Sequence, residues 1–400
     1  MSLISMPDQL AVSWVKQDIE ILKSAGWEVL ALPIPDWCPS SLFVPWVLRN
    51  FRSMLHCDVV FGWFAYPVSV FIARAFGKPI VLNAVGWEVA SYPEFSYGLP
   101  SSLFARALVA LGLQRSDHVI AISKESARWS ERWGARNVSV IYEGIDTARF
   151  RQMGGTEKSR TGNGIVTVAY LAQSNVRRKD LTTLLRALKL VRTQVPNARL
   201  TILGEKKDGY VGLVALAKDL GILGAVDFRG WVEPQELVRS IRAAEVFAMP
   251  SLQEGFPTAL CEALSCGVPI VTTDRPAMNE VFEDHVHALF AKPRDPASLA
   301  QAVITLLTNR ELAKTLAHAG ATLVEEKFSR ELRARKLTEY FIAVMNEERH
   351  RGFSGISIAW TIAFLTLCMI SPVALAARRF SGCLLRYARD VRAHTSIPVV

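Results

Sequence analysis

Short apolar runs alternate with amphipathic segments along almost the whole chain, and this alternation constrains the fold more than any other feature. Five such runs in the first 150 residues are EVLAL, DVVFGWF, KPIVLNAVG, DHVIAIS and VSVIYEG. Most are followed by a segment with apolar residues at helical spacing, for example PVSVFIARAFG or KESARWSERWG. Strands that alternate with helices predict βαβ units, in which a parallel sheet is covered by helices on both faces. The predicted fold class is therefore α/β.

A polar, glycine-rich stretch over residues 146–164 interrupts the alternation, which then restarts with the runs IVTVAYLA, ARLTILG, VDFRGWV, VFAMPS and VPIVTTD. Such a stretch is typical of a linker between domains. The sequence therefore predicts two doubly wound domains, over residues 1–150 and 151–348. Ligands of open α/β sheets bind at the carboxyl ends of the strands, so we expect the chemistry in a cleft between the domains. Neither half carries the dinucleotide fingerprint GxGxxG after its first strand.

The last part of the chain, residues 349–400, has a different composition. Residues 352–377 contain no charged side chain, and about 20 mostly apolar residues suffice to cross a membrane. This segment predicts a membrane anchor followed by a basic tail. The arginines of that tail oppose its export, so a re-entrant or interfacial anchor remains an alternative to a span, and a buried helix is a third reading. We expect no signal peptide and a location on the cytoplasmic face of a membrane.

Charge and cysteine content narrow the class of partner. The formal net charge of +9 suits an anionic membrane surface, an anionic small molecule or nucleic acid, or serves solubility alone. Nucleic-acid binding rests on charge alone, and we do not predict it. None of the six cysteines lies in a CxxC pair and no histidine cluster accompanies them. We therefore predict no metal site and a reducing compartment.

The segment MPSLQEGFPTALCEALSCGVPIVTTD carries the strongest functional signal. It predicts a strand, a loop with Glu254, and a helix from Thr258 to about Cys266 that Gly267 terminates. A helix N-terminus offers free N–H groups to a diphosphate. Glu262, one turn into the helix, can accept hydrogen bonds from a ribose diol, and Glu254 can reach a second polyol. The alternative is an ordinary exposed helix with a chance pair of acids.

This segment resembles the E-x7-E signature of glycosyltransferase family 4, whose members are retaining enzymes of the GT-B fold. The resemblance covers roughly residues 10–348 and includes VIYEGIDTARF and FRGWVEPQELVRSIRAAEVFAMPS. It implies two Rossmann-like domains facing a cleft. It also implies a metal-independent hexosyltransferase without a cofactor. Such an enzyme would move a sugar from a nucleotide-sugar donor to a glycan or lipid-linked acceptor, in cell-surface polysaccharide or glycolipid synthesis.

The resemblance also implies roles for individual residues. Glu254 would contact the donor sugar near the anomeric carbon, and Arg178 and Lys179 in NVRRKDL would neutralise the leaving diphosphate. A basic pair at a strand-to-helix turn suits phosphate independently of the resemblance, and either Arg177 or Arg178 can supply the family's arginine. The implied donor-binding residues are Gly255, Phe256, Pro257, Thr258, Glu262, Gly204, Gly230, Trp231, Gly86 and Glu88. For Trp231, which would lie near the base, core packing is an equal alternative.

The sequence departs from the family pattern in the first domain. In NAVGWEVA, Gly86 matches the usual His-Gly-x-Asp, Glu88 replaces the acid, and Val85 stands where histidine is common. SMPDQLAVSW lacks the glycine-rich loop that many members place beside the phosphates. These departures leave two alternatives to an active transferase open. One is a non-catalytic nucleotide-sugar-binding membrane scaffold, and the other is a GT-B-like sugar-nucleotide epimerase.

Overall fold

The structure, a computed structural model, describes residues 13–31, 49–65, 67–95, 97–98, 103–152 and 164–351. They form two compact units. The first unit contains the chain up to Ser91, then Gly98–Ile141, and the chain from Arg333 onward; the second contains Tyr92–Tyr97 and Tyr142–Leu332. Each unit is built on a parallel sheet, which confirms the predicted α/β class. The sequence predicts boundaries after residues 150 and 348. The two units instead divide at Tyr142 and at Arg333.

The described part of the first unit has a four-stranded parallel sheet in the order β1-β2-β3-β4. Its strands are β1 (Val60–Trp63), β2 (Ile80–Ala84), β3 (His118–Ala121) and β4 (Val138–Val140). Its helices are α1 (Ser13–Ser24), α2 (49–56), α3 (Pro67–Ala75), α4 (Leu103–Arg115) and α5 (Lys124–Arg132). The last helix of the chain, α15 (Arg330–Arg351), joins this unit from Arg333.

Both faces of this sheet are buried. Ile80 and Leu82 of β2 belong to one apolar cluster, and Val81 between them belongs to another. Val119 and Ile120 of β3 divide in the same way. Successive side chains of a strand point to opposite faces, so apolar material covers the sheet on both sides. This explains why the strands read as unbroken apolar runs in the sequence.

A buried ion pair attaches α15 to the first unit. Arg333 donates to both carboxylate oxygens of Asp18, over 2.6 and 2.8 Å, and both side chains are at most 2% exposed. Trp63 also donates to Asp18, over 3.1 Å, and the ring of Phe341 lies 5.1 Å from that of Phe61. These contacts are the physical reason why the final helix groups with the first unit and not with the second.

The described part of the second unit has a six-stranded parallel sheet in the order β10-β9-β8-β5-β6-β7. Its strands are β5 (Gly164–Val168), β6 (Arg199–Leu203), β7 (Val226–Gly230), β8 (Val246–Ala248), β9 (Ile270–Thr273) and β10 (Leu289–Ala291). Its helices are α6 (Thr147–Gln152), α7 (Gln173–Arg178), α8 (Leu181–Gln194), α9 (Tyr210–Asp219), α10 (Pro234–Arg242), α11 (Thr258–Ser265), α12 (Pro276–Asn279), α13 (Pro296–Thr308) and α14 (Arg310–Phe328). The strand order reverses between β5 and β8, as in a Rossmann sheet.

One expectation is wrong, one lies outside the described residues, and two elements were not predicted. A strand was predicted over residues 28–32. This prediction is wrong for residues 28–31, which do not form a strand. Strand β10 and helix α14 were not predicted. The proposed anchor at residues 352–377 lies outside the described residues, and no helix within the described ranges is both long and apolar enough to cross a membrane.

Candidate functional site

The candidate site lies at the carboxyl edge of the second sheet, where the strand order reverses. Arg178 and Lys179 follow β5, and Glu254 follows β8. These two strands are neighbours in the sheet, so their carboxyl ends lie side by side. In open α/β sheets this reversal point is where ligands bind. The topology therefore brings together three side chains that are up to 76 positions apart in the sequence.

Glu254, Arg178 and Lys179 form one buried ion cluster. The Arg178 Nη1 donates to Glu254 Oε2 over 2.5 Å, and the Lys179 Nζ lies 3.3 Å from Glu254 Oε1. Ser251 donates its hydroxyl to the same Oε1 over 2.8 Å. The three charged side chains are only 10–12% exposed. Two cations against one carboxylate leave the cluster with an excess of positive charge.

The structure decides between Arg177 and Arg178. Arg177 is exposed, whereas Arg178 is buried and held at several atoms. Its Nε and Nη2 donate to Asn175 Oδ1 over 3.2 and 3.1 Å, and its Nη1 also donates to the Gln253 carbonyl over 2.7 Å. A planar guanidinium bound at several nitrogens has a fixed orientation. Arg178 is therefore the arginine of the cluster.

The basic pair does not sit at a simple strand-to-helix turn, as the sequence suggested. The short helix α7 intervenes after β5, and Arg178 is its last residue and Lys179 its C-cap residue. The next residue, Asp180, has a φ of 48°, in the left-handed region, and its side chain caps α8. Aspartate tolerates this conformation better than most residues. The left-handed residue ends α7 and starts α8 directly after the basic pair.

The electrostatics of the cluster are strongly perturbed. Burial alone would raise the pKa of Glu254, but Arg178 and Lys179, with hydrogen bonds from Ser251 and Arg178, outweigh burial and lower it to about 2. Burial lowers the pKa of Lys179, and Arg178 lowers it further, while Glu254 opposes both. The carboxylate is thus ionised at neutral pH, and it stabilises the charge of two partly desolvated cations.

The loop after Glu254 leads directly into α11, as predicted. The helix begins at Thr258, Pro257 is its N-cap residue, and Gly267 follows it with a φ of 68°. The Phe256 side chain is buried, with ring centroids 5.8 Å from Tyr142 and 5.3 Å from Phe328. The phenyl ring therefore anchors the loop, while Gly255 remains partly exposed beside it.

Glu262 lies one turn into α11, as predicted. It is half-buried. Burial raises its pKa to about 7, although Arg149 and Lys179 act in the opposite direction. Glu262 therefore gains or loses its proton near neutral pH. Lys179 thus lowers the pKa of both Glu262 and Glu254.

Gly204 directly follows β6, and Gly230 is the last residue of the adjacent strand β7. Gly204 has a φ of 139°, and a Cβ there would lie 2.0 Å from the Ala169 carbonyl oxygen. Only glycine allows this approach. The Gly204 N–H donates to the Gly230 carbonyl over 2.8 Å, which holds the two strand ends together. Trp231 is 45% exposed, so the core-packing alternative for this residue is wrong.

Gly86 and Glu88 lie in the first unit, after β2. Gly86 has a φ of 115°. The Glu88 side chain is fully buried, and one of its oxygens accepts from the Val85 N–H over 2.6 Å. Burial raises the pKa of Glu88 to about 8, against the effect of hydrogen bonds from the backbone N–H groups of Glu88, Val85 and Gly86. The Glu88 carboxyl group therefore accepts hydrogen bonds from the backbone of its own loop. Its contact with a donor sugar stays a prediction.

Sequence reasoning missed four residues of the site: Ser251, Gln253, Asn175 and Tyr97. Ser251 and Gln253 lie close to Glu254 in the sequence, and Asn175 lies close to Arg178. This closeness in the sequence was the only feature that could have predicted them. Tyr97 lies in the first third of the chain and had no signal. Across the described ranges, no three His, Cys, Asp or Glu side chains group as metal ligands would.

Comparison with known proteins identifies the family of the chain. Residues 162–322 match the family model of glycosyl transferases group 1, and residues 17–149 match that of Glycosyltransferase Family 4. The two matches together take in most of the chain. The chain therefore belongs to the family-4 type of glycosyltransferases.

Individual relatives are similar at a moderate level. A Bacillus subtilis protein assigned to teichuronic acid biosynthesis, the glycosyltransferase TuaC, is 28% identical over 266 residues, which are 64% of this chain and 63% of that protein. The alignment thus spans just under two thirds of TuaC. A GDP-mannose-dependent alpha-(1-6)-phosphatidylinositol monomannoside mannosyltransferase of Mycobacterium tuberculosis is 28% identical over 343 residues, 80% of this chain and 84% of that enzyme.

Solved structures support the fold. Anabaena HepE in complex with UDP and glucose superposes with a TM-score of 0.68 and 18% identity, covering 86% of this chain and all of HepE. At this identity the similarity concerns the fold alone. It supports a GT-B-like architecture with a parallel sheet in each of two domains.

Proposed function

We propose that this protein is a retaining, metal-independent hexosyltransferase that uses a nucleotide-sugar donor. The observation that carries the proposal is the buried cluster of Glu254, Arg178 and Lys179 at the point where the second sheet reverses its strand order. A net positive, desolvated cluster beside a helix N-terminus suits a diphosphate. The mycobacterial relative is named as GDP-mannose-dependent, and the HepE structure contains UDP and glucose.

Each residue has a role in this proposal. Arg178 and Lys179 stabilise the negative charge that grows on the diphosphate as the glycosyl bond breaks. The backbone N–H groups of Gly255 and Phe256, next to Pro257 and Thr258, bind phosphate and sugar, and Glu262 accepts hydrogen bonds from the ribose hydroxyls. The remaining donor contacts come from Glu254 at the sugar and from Gly204, Gly230 and Trp231 around the nucleotide.

The proposed chemistry follows from the charge distribution. Glu254 is already neutralised by two cations, so it is a poor nucleophile and a poor base. We therefore propose that the acceptor hydroxyl attacks from the face that the diphosphate leaves, and that the departing phosphate takes the hydroxyl proton. This route retains the anomeric configuration. Catalysis is then mainly positioning and charge stabilisation.

The first test is donor binding. We expect thermal stabilisation of the protein by one of UDP-, GDP- or ADP-sugars, and about 2.7 kcal/mol at a ligand concentration of 100 times Kd. Glu262→Ala should lose most of this stabilisation, because the ribose loses its carboxylate. The control is Glu326→Ala, which removes an exposed helical glutamate of the same unit.

The outcomes separate the alternatives. Binding that is unchanged by EDTA and followed by sugar transfer supports a metal-independent transferase. Binding without transfer to any acceptor favours the non-catalytic scaffold. If no donor stabilises the protein, or if both glutamate variants behave alike, the assignment of the site is wrong.

The acceptor side of the proposal is a glycan or lipid-linked acceptor at the cytoplasmic face of a membrane. It rests on the uncharged residues 352–377 and on the basic excess of the chain. We expect the full chain to sediment with membranes and a chain ending at residue 351 to remain in the supernatant. Sedimentation of the shortened chain would place the membrane contact elsewhere in the protein.

A further inference from the structure

A short loop from the first part of the chain belongs to the second unit. The chain on either side of Tyr92–Tyr97 groups with the first unit, but this segment groups with the second. It contains a single 3-10 turn, Pro93–Phe95. Its two ends pair with each other, because the Tyr92 N–H donates to the Tyr97 carbonyl over 2.9 Å and the Tyr97 N–H donates back over 3.2 Å.

The base of this loop is tightly built. Gly98 has a φ of 106°, and a Cβ there would lie 2.1 Å from the Ala90 carbonyl oxygen. No side chain fits at that position. The chain therefore leaves and returns at nearly the same point, and backbone hydrogen bonds and the neighbouring rings of Tyr92 and Tyr97 close the loop. A loop closed in this way presents its side chains in a defined orientation.

Tyr97 lies against the guanidinium of the ion cluster. The Arg178 Cζ is 5.0 Å from the centroid of the Tyr97 ring, within the range of a cation–π interaction. The nitrogens of the same guanidinium donate to Asn175, Gln253 and Glu254. Hydrogen bonds thus fix the edges of the planar group, and the aromatic ring contacts the group in addition to them.

A second contact of the same kind secures the loop. The Arg294 Cζ lies 5.9 Å from the centroid of Phe95, and Phe95 is buried. Phe95 therefore anchors the loop, and Tyr97 is its contact with the ion cluster.

We propose that Tyr97 is a positioning residue for Arg178 in glycosyl transfer. The proposal rests on the proposed function, in which Arg178 stabilises the leaving diphosphate. Without the ring, the guanidinium keeps its hydrogen bonds to Asn175, Gln253 and Glu254 but loses its aromatic contact, so it can tilt out of the orientation that suits the phosphates. An aromatic side chain is required, because an aliphatic one of similar size has no charge distribution that attracts a cation. The phenolic oxygen is not required.

The test is a double-mutant cycle that measures nucleoside diphosphate affinity by calorimetry and kcat by sugar transfer. Tyr97→Leu should weaken the affinity for the matching nucleoside diphosphate (UDP, GDP or ADP) and lower kcat, each by about 3- to 30-fold. Tyr97→Phe should restore both to within about twofold. In an Arg178→Gln background, Tyr97→Leu should have almost no further effect, because the group that it positions is gone. If Arg178→Gln fails to fold, Arg178→Met serves as the second background, because it also removes the cation.

The control for loop packing is Tyr92→Leu, which removes a ring 6.3 Å from Tyr97 and 6.4 Å from Phe95 and leaves Tyr97 in place. Its effect on affinity should be less than about twofold if general loop packing is unimportant. Equal effects of Tyr97→Leu with and without Arg178, or no rescue by Tyr97→Phe, would overturn the positioning role while leaving the proposed function intact. If the unaltered protein binds none of the three nucleoside diphosphates, both proposals fail.

Discussion

Replacing Glu254 by alanine is expected to lower kcat by about 10²- to 10³-fold and the free energy of unfolding by about 3–5 kcal/mol. The carboxylate contacts Arg178, Lys179 and Ser251 while only 10% exposed. Its removal leaves two desolvated cations without their counter-charge. Initial rates with saturating donor and urea denaturation measure the two effects. Glu326→Ala should change neither quantity appreciably, because that glutamate is exposed.

The pH dependence of this variant is distinctive. The pKa of Glu254 falls from 4.5 to about 2 on folding. A depressed carboxyl pKa stabilises the fold above pH 4.5, and this contribution disappears as the pH falls from 4.5 toward 2. The alanine variant should lack that part of the acid transition. If the two proteins lose stability in parallel over this range, the ion cluster does not exist in solution.

Lys179 adds a second signature. Its pKa is already lowered by burial, and Glu254 is the main influence that raises it. In the alanine variant Lys179 can shed its proton more easily in the folded state than in the unfolded state. The variant should therefore recover part of its stability as the pH rises toward the alkaline range.

Replacing Asp18 by alanine should destabilise the first unit by about 3–5 kcal/mol, because Arg333 is left buried without a counter-charge. Arg333 is 1% exposed, and besides Asp18 it donates to the Ile141 carbonyl over 3.1 Å. The double variant Asp18→Leu with Arg333→Leu should recover most of this loss, since apolar side chains can replace a buried pair at little cost. Chemical denaturation followed by tryptophan fluorescence is a suitable measurement, because Trp63 donates to Asp18.

The control for this pair is Lys314→Ala, which breaks an exposed ion pair with Glu311. Exposed pairs contribute on the order of 0.5 kcal/mol. If Asp18→Ala were as mild as Lys314→Ala, the buried pair would not be what attaches α15 to the first unit.

Much of the fold could be predicted because buried parallel strands are continuous apolar runs. Strands β1 to β9 coincide with such runs. Strand β10, Leu289–Ala291, was not among the predicted runs, although β4 and β8 are equally short and were predicted. The apolar run at residues 28–32 has the composition of a strand. A strand also needs a hydrogen-bonded neighbour, and the sequence does not show whether one is present.

Part of the candidate site was also predictable. Glu254, Glu262, Arg178 and Lys179 lie in two segments whose residue types and spacing point to phosphate and sugar hydroxyls. The family resemblance assigned them to one donor site, and the neighbouring positions of β5 and β8 agree with this assignment. The choice between Arg177 and Arg178 was not predictable, because both are equally basic and adjacent in the chain.

The sequence by itself thus determined the α/β class, most of the strands, the glycines at turns and the residue types of the site, since these depend on local composition and spacing. Only the tertiary structure decided that α15 from Arg333 packs with the first unit, that Tyr97 contacts Arg178, and that Trp231 is exposed. The first two pair residues far apart in the chain, 315 positions for Asp18 and Arg333. Such contacts depend on the three-dimensional course of the chain, which local patterns do not encode.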